Sequence, residues 1–423
     1  MSVRLSGWMV MMGMVAALGC QQQTSMTEPV EQVATPLTEE PREPEPPSPA
    51  LSPEAEAAVA MVEALGGRVT HDQAGRVVTV DLTAASISDR EVQQLAPLVD
   101  LTELALRGTD ITDASMPVIA GFAQLVRLEL SYTVVTDQAM EHLAALGELN
   151  DLRLHRMTHM GDDGLLVLQE LPRLEYLYLT DNNAITDIAM SHIAGVPNLR
   201  MLDIRGSDTI GDSGVEELIA MDSLVALRIR SRAVGDISME YLAQMPQLRT
   251  LAVEDSLALT DYGMEQLAAL TDLDDLSVAQ AFNVTDFGLE PLAGLTKLRR
   301  LNLRRLSLNG DGLLYLKDLQ ELWSLDLGGT AIADHALEYL KHFPRLTRLN
   351  LMMTPISNAG VEQLAEFEQL EWLSLQQTSI DDDAVEHLAR LTNLQELDVA
   401  QTRLTDDGVA RLREALPEAR IRS

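Results

Sequence analysis

The feature of this sequence that most restricts its fold is the six-residue pattern L-x-x-L-x-L, which occurs fourteen times at intervals of 24 or 25 residues. Its copies begin at Val77, Leu101, Leu125, Leu149, Leu174, Leu199, Leu224, Leu248, Leu273, Leu298, Leu322, Leu346, Leu370 and Leu394. A single unit of this length cannot bury a hydrophobic core, whereas stacked units bury a continuous one. The pattern therefore predicts a solenoid of fourteen repeats over residues 77–414.

Each repeat is predicted to contain one strand and one helix. Leu128 and Leu130 point the same way from a short strand, because side chains in a strand alternate with a period of two. Thr136 or Asp137 then suits a helix N-cap, and apolar residues follow at helical spacing from Met140 onwards. Strand and helix face the same core.

The second half of the unit identifies a family resemblance. Residues 259–267, LTDYGMEQL, resemble the T-D-x-G-L form of leucine-rich repeat, and the resemblance covers residues 76–414. It implies an α/β solenoid, a horseshoe or arc with a parallel sheet on its concave side and helices on its convex side. Fourteen strands spaced by about 4.8 Å would make an inner surface on the order of 60 Å long, which suits a macromolecular ligand.

In this family, an Asn or Thr after the strand bonds neighbouring turns into a ladder. The corresponding positions here are Thr109, Thr133, Asn182, Ser207, Ser256, Thr330, Thr354, Thr378 and Thr402. The departures are Ala85, Met157, Arg232, Ala281 and Leu306. Because four of the five departures lie between residues 157 and 306, we expect the turn geometry or the curvature to change there.

Both ends of a solenoid need covers, because a terminal repeat exposes core and an unpaired strand edge. Residues 52–76 are predicted to form an N-terminal cap, with a helix starting at Ser52-Pro53 and a hairpin after it. The predicted apolar face of that helix is Ala57, Val59, Met61, Val62 and Leu65. Residues 415–423 are predicted to be a C-terminal stub that acts as a cap.

Residues 1–20 have the pattern of a lipoprotein-type signal peptide. Arg4 precedes eleven residues of apolar type, Trp8–Leu18, which are too few to span a bilayer of about 30 Å as a helix. The segment ALGC, ending at Cys20, resembles a bacterial lipobox, and the resemblance implies lipidation of Cys20. The alternative is a conventional signal peptide cleaved near Gly19. In the lipoprotein family, Gln21 favours sorting to the outer membrane.

Residues 21–51 are predicted to be a disordered tether rich in Pro and Glu. They show no apolar period of two or 3.6, so they cannot bury enough surface to offset the entropy of ordering. Recognition of a proline motif by a partner is the alternative interpretation.

The sequence favours neither catalysis nor a metal site. No known catalytic motif is present, and the only cysteine, Cys20, lies in the leader. The eight histidines are dispersed, and the acidic runs at 162–163, 381–383 and 406–407 sit where helices need N-terminal caps. The net charge of −34 also disfavours nucleic acid as a partner. We therefore predict a protein that is not an enzyme and has no cofactor.

The candidate ligand-binding residues lie on the predicted concave face, where Arg and Tyr stand out in an acidic chain. They are Arg153, His155, Arg156, Tyr176, Tyr178, Arg205, Arg228 and Arg230, followed after a gap by Arg300, Arg304 and Arg305. Arg and Tyr are enriched at binding hot spots. The alternative is that neighbouring Asp and Glu pair with these arginines in a solvated network.

These observations predict a lipid-anchored leucine-rich-repeat binding protein of the bacterial cell envelope, with its membrane contact through the N-terminal lipid. The concave face would engage a protein or an envelope polysaccharide. A structural envelope spacer without a specific ligand is the alternative function.

Overall fold

A computed structural model of the protein describes residues 51–423. The predicted leader, the lipidation site Cys20 and the predicted tether up to residue 50 lie outside the described residues. Between residues 51 and 423, no helix has the length and apolar character needed to cross a membrane.

One sheet runs through the whole described part of the chain, and its sixteen strands are ordered as they occur in the sequence. They are β1 (Arg68–His71), β2 (Val77–Asp81), β3 (Glu103–Arg107), β4 (Arg127–Ser131), β5 (Asp151–His155), β6 (Tyr176–Tyr178), β7 (Met201–Arg205), β8 (Ala226–Arg230), β9 (Thr250–Glu254), β10 (Asp275–Ala279), β11 (Arg300–Asn302), β12 (Ser324–Asp326), β13 (Arg348–Asn350), β14 (Trp372–Ser374), β15 (Glu396–Asp398) and β16 (Arg420–Arg422). β1 and β2 are antiparallel, and the other neighbours are parallel. The predicted α/β solenoid is confirmed.

The prediction of fourteen parallel strands was one short for the described residues. β16 lies within the predicted C-terminal stub and pairs in parallel with β15, so that Ile421 is in register with Leu397. Ile421 follows Leu397 by one repeat length, but its neighbours Arg420 and Arg422 are charged. The aliphatic pattern therefore fades before the sheet ends.

Short helical segments connect the strands. The α-helices of the described residues are α1 (Pro53–Ala64), α2 (Asp89–Gln94), α3 (Met116–Ile119), α4 (Asp137–Met140), α5 (Asp187–Ala194), α6 (Asp212–Glu217), α7 (Asp236–Leu242), α8 (Asp261–Gln266), α9 (Asn358–Leu364), α10 (Val385–Leu388) and α11 (Asp406–Ala415). Segments of 3-10 helix occupy Asp113–Ser115, Glu141–Ala145, Asp163–Glu170, Leu218–Ala220, Leu267–Ala269, Asp286–Gly294, Asp311–Asp318, Asp334–His342 and Asp382–Ala384. The 3-10 form rises more per residue than the α-helix and so spans the repeat in fewer residues.

The core is continuous from the N-terminal helix to the last repeat. Leu128 and Leu130 of β4 and Met140 of α4 are fully buried in it, as the repeat pattern predicts. The buried face of α1 differs from the predicted one. It consists of Ala55, Ala58 and Val62, with Val59 and Met61 packed at its margin, whereas Ala57 and Leu65 are exposed. Ala55, Ala58 and Val62 share one face because they are spaced by three and four residues, whereas Ala57 is five residues from Val62 and lies off that face. Leu65 has the right spacing from Val62 but is the C-cap residue after the last turn of the helix.

The T-D part of the motif joins neighbouring repeats. The Asp236 carboxylate accepts hydrogen bonds from the backbone N–H of Thr260 at 2.8 Å and from its Oγ1 at 2.7 Å. Thr260 in turn caps its own helix by accepting from the N–H of Tyr262 at 3.2 Å. One residue pair therefore fixes both the start of a helix and its distance from the preceding repeat.

This arrangement forms a second ladder along the solenoid, away from the sheet. The carboxylates that bond the next repeat are Asp89, Asp113, Asp137, Asp162, Asp187, Asp212, Asp236, Asp261, Asp286, Asp334 and Asp382, and the amide of Asn358 does the same. Gly310 occupies the equivalent position in one repeat, so the ladder is interrupted between Gly310 and Ala333.

The acidic runs were predicted to cap their own helices, which is wrong for their main carboxylates. Asp162 and Asp382 bond Thr186 and Thr405 of the next repeats. Only Asp381 of these runs accepts from its own turn, from the N–H of Asp383 at 3.1 Å. The sequence pattern could not distinguish the two roles, because both place Asp at the beginning of a helix.

The turn positions after the strands form the predicted ladder in only some repeats. Thr133 Oγ1 donates to Met157 Sδ of the next repeat at 3.1 Å, and Ser256 Oγ donates to the Val234 carbonyl of the preceding repeat. Thr330, Thr354, Thr378 and Thr402 donate to carbonyls three residues earlier in their own turns. Asn182 does join two repeats, because its Nδ2 donates to the Leu154 carbonyl at 2.7 Å and its Oδ1 accepts from the Met157 N–H at 2.6 Å. In the repeat of Arg232, the buried Ser231 takes the turn position instead.

Candidate binding surface

The concave face consists of the strand residues that alternate with the buried core. In β4, Arg127 and Glu129 lie on this face, whereas Leu128 and Leu130 are buried. Parallel register aligns equivalent residues of neighbouring strands into rows. The central row contains Glu129, Arg153, Tyr178, Asp203, Arg228, Ala252, Ser277 and Asn302 in that order. The predicted site residues from distant repeats therefore share one surface.

Arg153 is bound to a buried carboxylate of its own strand. Its Nε and Nη2 donate to the two oxygens of Asp151, each at 3.0 Å, and Arg127 donates to the same carboxylate at 2.9 Å. The hydrogen bonds that Arg153 donates to Asp151 raise the pKa of Arg153. The Arg153 guanidinium lies 4.8 Å from the centre of the Tyr178 ring, and burial raises the pKa of the Tyr178 hydroxyl. Tyr176 of the same strand remains 36% exposed.

Arg205 has a similar internal role. It donates from Nη2 at 2.6 Å and from Nε at 2.9 Å to Asp203, which is completely buried. These bonds raise the pKa of Arg205. Because an unpaired buried carboxylate is costly, Arg205 is required by the fold before any ligand is considered.

A third carboxylate, Asp181, lies among three basic side chains. Its oxygens are 3.0 Å from Arg230 Nη2, 3.5 Å from Arg156 Nε and 3.9 Å from His155 Nε2. The Nδ1 atom of His155 is also 2.6 Å from Thr180 Oγ1. Arg156, His155 and Arg230 therefore form one cluster around Asp181.

Of the remaining predicted arginines, some form ion pairs or hydrogen bonds with neighbouring side chains and others do not. Arg300 forms an ion pair with Asp275, and Arg305 donates to Gln280 Oε1 at 3.0 Å. Arg228 and Arg304 make no side-chain hydrogen bond or ion pair with any residue from 51 to 423. The alternative of pairing with neighbouring Asp and Glu thus describes five of the eight predicted arginines, namely Arg153, Arg156, Arg205, Arg230 and Arg300. Arg305 bonds a neutral amide instead, and Arg228 and Arg304 have neither kind of partner among residues 51–423.

The two predicted clusters are brought together by a shallow depression of about 280 Å³. It is lined by Arg205, Arg228, Thr250, Leu251, Ala252, Glu254, Asp275, Ser277, Arg300, Leu301, Asn302, Ser324 and Asp326. The gap that separates the clusters in the sequence is the floor of this depression, because Thr250, Ala252 and Ser277 have small side chains. Arg228 lines the depression, and its guanidinium has no side-chain partner among residues 51–423.

Tyr132 belongs to the surface and was missed by the sequence analysis. Its ring lies 4.4 Å from the Arg107 guanidinium and 5.4 Å from that of Arg156, and it meets the His155 ring edge-on at 5.1 Å. Tyr132 directly follows β4 and has a φ of 59°. Residues with positive φ follow many strands, Arg156 and Arg305 among them. This left-handed position turns their side chains towards the concave face.

The described part of the chain contains no cluster of three or more His, Cys, Asp or Glu able to hold a metal ion. The Arg-rich surface contains donors for an anionic group, together with the exposed ring of Tyr176 and the half-buried rings of Tyr132 and Tyr178.

Comparisons with known proteins support the fold. The family model described as "Leucine Rich repeat" matches residues 197–218 and 390–412. An internalin of Listeria monocytogenes is 23% identical, with a TM-score of 0.55, and the match covers 89% of this chain and 97% of that one. A leucine-rich-repeat protein of Leptospira interrogans is 17% identical, with a TM-score of 0.50 and coverages of 78% and 92%. No curated protein matches by sequence.

A further similar structure is that of the Rad7 and Elc1 complex from yeast. The match is 20% identical, has a TM-score of 0.57 and covers 87% of this chain and 86% of that one. Similarity at these identities shows the fold. Together with the repeat pattern and the continuous parallel sheet, it leads to one conclusion: the repeats are leucine-rich repeats, and the chain is a leucine-rich-repeat solenoid.

Proposed function

We propose that this protein is a non-catalytic binding protein whose concave face engages a protein partner. The parallel strands of the described residues, at about 4.8 Å each, give this face a length on the order of 65 Å. Such a surface is longer than a small-molecule site, and its depression at Arg228 is shallow and open. One of the similar structures is a complex of two proteins, Rad7 and Elc1, which supports a partner of this class.

The observation that carries the proposal is the free guanidinium of Arg228. Arg205 and Arg300 beside it are held by Asp203 and Asp275, so they form a fixed frame around an unpaired donor. A carboxylate of a partner would accept two hydrogen bonds from Arg228 in the planar geometry that guanidinium groups favour. Tyr176, partly exposed nearby on β6, offers apolar area at low entropic cost. We therefore expect an acidic segment at the contact.

The proposal also includes the cellular setting. The lipobox-like segment ending at Cys20 supports lipid anchoring in a bacterial envelope, and Gln21 supports the outer membrane. Metabolic labelling of the full chain with a radioactive fatty acid tests this. Incorporation that disappears in Cys20→Ser is expected, and labelling that persists in that variant would contradict it.

Site-specific photo-crosslinking in the living cell tests the binding surface. A photoreactive phenylalanine derivative at Tyr176 should yield a crosslinked protein, and the same residue at Val99, which is 61% exposed, serves as the control. The yield at Tyr176 should fall at least tenfold in an Arg228→Gln background. Arg173→Gln, a change in an exposed arginine paired with Glu148, should leave the yield unchanged.

Three results would overturn or replace the proposal. Equal crosslinking at Tyr176 and Val99 would show that the concave face is not selective. A crosslinked product that is a glycan would favour the envelope polysaccharide. No crosslink at any concave position would favour a structural spacer, a function with which the internal pairing of most arginines agrees.

A further inference from the structure

Beyond the proposed function, the solenoid has a second exposed surface with an unusual composition. Five large apolar side chains that are half exposed or more lie within three consecutive repeats: Ile237 (53%), Leu257 (50%), Tyr262 (53%), Phe282 (53%) and Phe287 (73%). The chain has only five phenylalanines, and two of them are in this set. Single exposed apolar residues are ordinary, but such a concentration indicates an interaction surface.

The five residues form a patch because they occupy equivalent positions in stacked repeats. Ile237, Tyr262 and Phe287 each directly follow the aspartate of the T-D ladder. Leu257 and Phe282 each precede the next member by five residues. Parallel bridges between Gly235 and Ala258 and between Thr260 and Asn283 hold these segments side by side. We name the set the 237–287 patch.

The surroundings of the 237–287 patch are strongly acidic. Residues 233–248, 255–272 and 280–295 together contain eight Asp and Glu and no Lys, Arg or His. Two arginines border these ranges: Arg232, which forms an ion pair with Asp255 at 3.7 Å, and Arg249. The Tyr262 hydroxyl donates to Glu240 Oε1 at 3.1 Å. That hydrogen bond and the charges of Glu240 and Glu265 raise the pKa of Tyr262, in keeping with a negative local potential.

This charge limits what can cover the patch. A second copy of the chain would bring the same carboxylates against each other, and an anionic membrane would also be repelled. The protein's own residues 21–50 contain six Glu and one Arg, so they do not complement it either. A partner must combine apolar side chains with positive charge.

We propose that the 237–287 patch binds a basic amphipathic helix of a second protein. A helix lying along the solenoid axis advances about 5.4 Å per turn, close to the spacing of about 4.8 Å between strands of successive repeats. It would therefore place one apolar side chain per turn against Ile237, Tyr262 and Phe287 in sequence. Lys and Arg at its flanks would face Glu240, Glu265 and Glu290.

A synthetic helix tests the inference with the full chain. The probe is an 18-residue peptide of Leu and Lys with all Leu on one helical face, labelled for fluorescence anisotropy. We expect binding in the micromolar range, and at least tenfold weaker binding by a Phe282→Ser, Phe287→Ser double variant. The matched control is Val99→Ser with Leu166→Ser, which replaces two exposed apolar residues elsewhere and should not change the affinity. Circular dichroism at increasing temperature establishes that each variant is folded.

Further arms separate charge from apolar contact. Glu265→Gln with Glu290→Gln should weaken binding about threefold, and a peptide with Glu in place of Lys should not bind. Equal affinity of the double Phe variant and the wild type would overturn the inference. So would dimerisation of the wild type, or its binding to phosphatidylcholine vesicles, if the double Phe variant abolished it. Arg228→Gln should leave peptide binding unchanged, so the result is independent of the concave face.

Discussion

Gly263 lies so close to Asp236 of the preceding repeat that a Cβ on Gly263 would stand 2.4 Å from Asp236 Oδ1. The same contact recurs between Gly288 and Asp261. The glycine of the T-D-x-G motif is therefore explained by space rather than by backbone conformation. The aspartate that bonds the next repeat needs room, and only glycine provides it.

Gly263→Ala should destabilise the protein, because the new methyl group must displace the Asp236 carboxylate or the helix behind it. We expect a loss of about 1–3 kcal/mol in the free energy of unfolding, measured by urea denaturation. Gly147→Ala is the control, because a Cβ there meets nothing within 4 Å, and it should change stability by less than about 1 kcal/mol. Equal effects of the two changes would contradict the explanation.

The ladder itself should contribute to stability through each aspartate. Asp261 accepts from the Thr285 N–H at 2.7 Å and from its Oγ1 at 2.6 Å, so Asp261→Ala leaves two donors without a partner. We expect a cost of about 1–3 kcal/mol in thermal or urea unfolding. Asp311→Ala removes an aspartate that is 71% exposed and outside the ladder. That variant should unfold like the wild type, and a comparable loss there would refute the role of the ladder.

The last junction of the ladder should make stability depend on pH. The hydrogen bonds from Thr405 hold the pKa of Asp382 below its usual value of 3.8. A lowered folded-state pKa means that the stabilisation is complete above about pH 5 and is lost as the pH falls below 3.8 towards the folded-state value. Thr405→Val removes the Oγ1 donor. The difference in urea midpoint between wild type and this variant should therefore be larger at pH 7 than at pH 3.

Thr402→Val provides the matched control for that experiment. Thr402 donates to the Val399 carbonyl at 2.7 Å, and a carbonyl does not titrate in this range. Its midpoint difference from the wild type should be the same at both pH values. A pH-dependent difference for Thr402→Val, or a constant one for Thr405→Val, would show that the Asp382 pKa is not the cause.

Periodicity was sufficient to predict the fold, because the burial of Leu128, Leu130 and Met140 depends only on their spacing within a repeat. The last strand escaped prediction because Ile421 is the single aliphatic residue of β16. The aspartates of the ladder were predicted to cap their own helices. An aspartate at the start of a helix can accept hydrogen bonds from its own helix or from the next repeat, and the sequence pattern is the same in both cases.

The sequence predicted where the candidate site residues lie, but not which of them are paired with other side chains. The strand period placed Arg153, Arg205 and Arg228 on one face, but their partners depend on side-chain conformations across strands. Asp203 is an example: it belongs to the solvent-facing row by sequence and is completely buried by Arg205 and its neighbours. Tyr132 was missed because the equivalent position in other repeats is held by Arg, Gln, Asp, Met or Gly, which share a positive φ and no side-chain character.

The aromatic ring of Tyr132, rather than its hydroxyl, should hold Arg107 and Arg156 in place. Both guanidiniums lie within 5.4 Å of the ring centre, a distance at which the negative face of the ring attracts a cation. Tyr132→Phe keeps the ring and should retain wild-type stability. Tyr132→Leu removes it and should cost about 0.5–2 kcal/mol in urea unfolding. Because both substitutions retain the left-handed backbone demand at this position, a similar loss for Phe and Leu would assign the effect to the hydroxyl or the backbone instead.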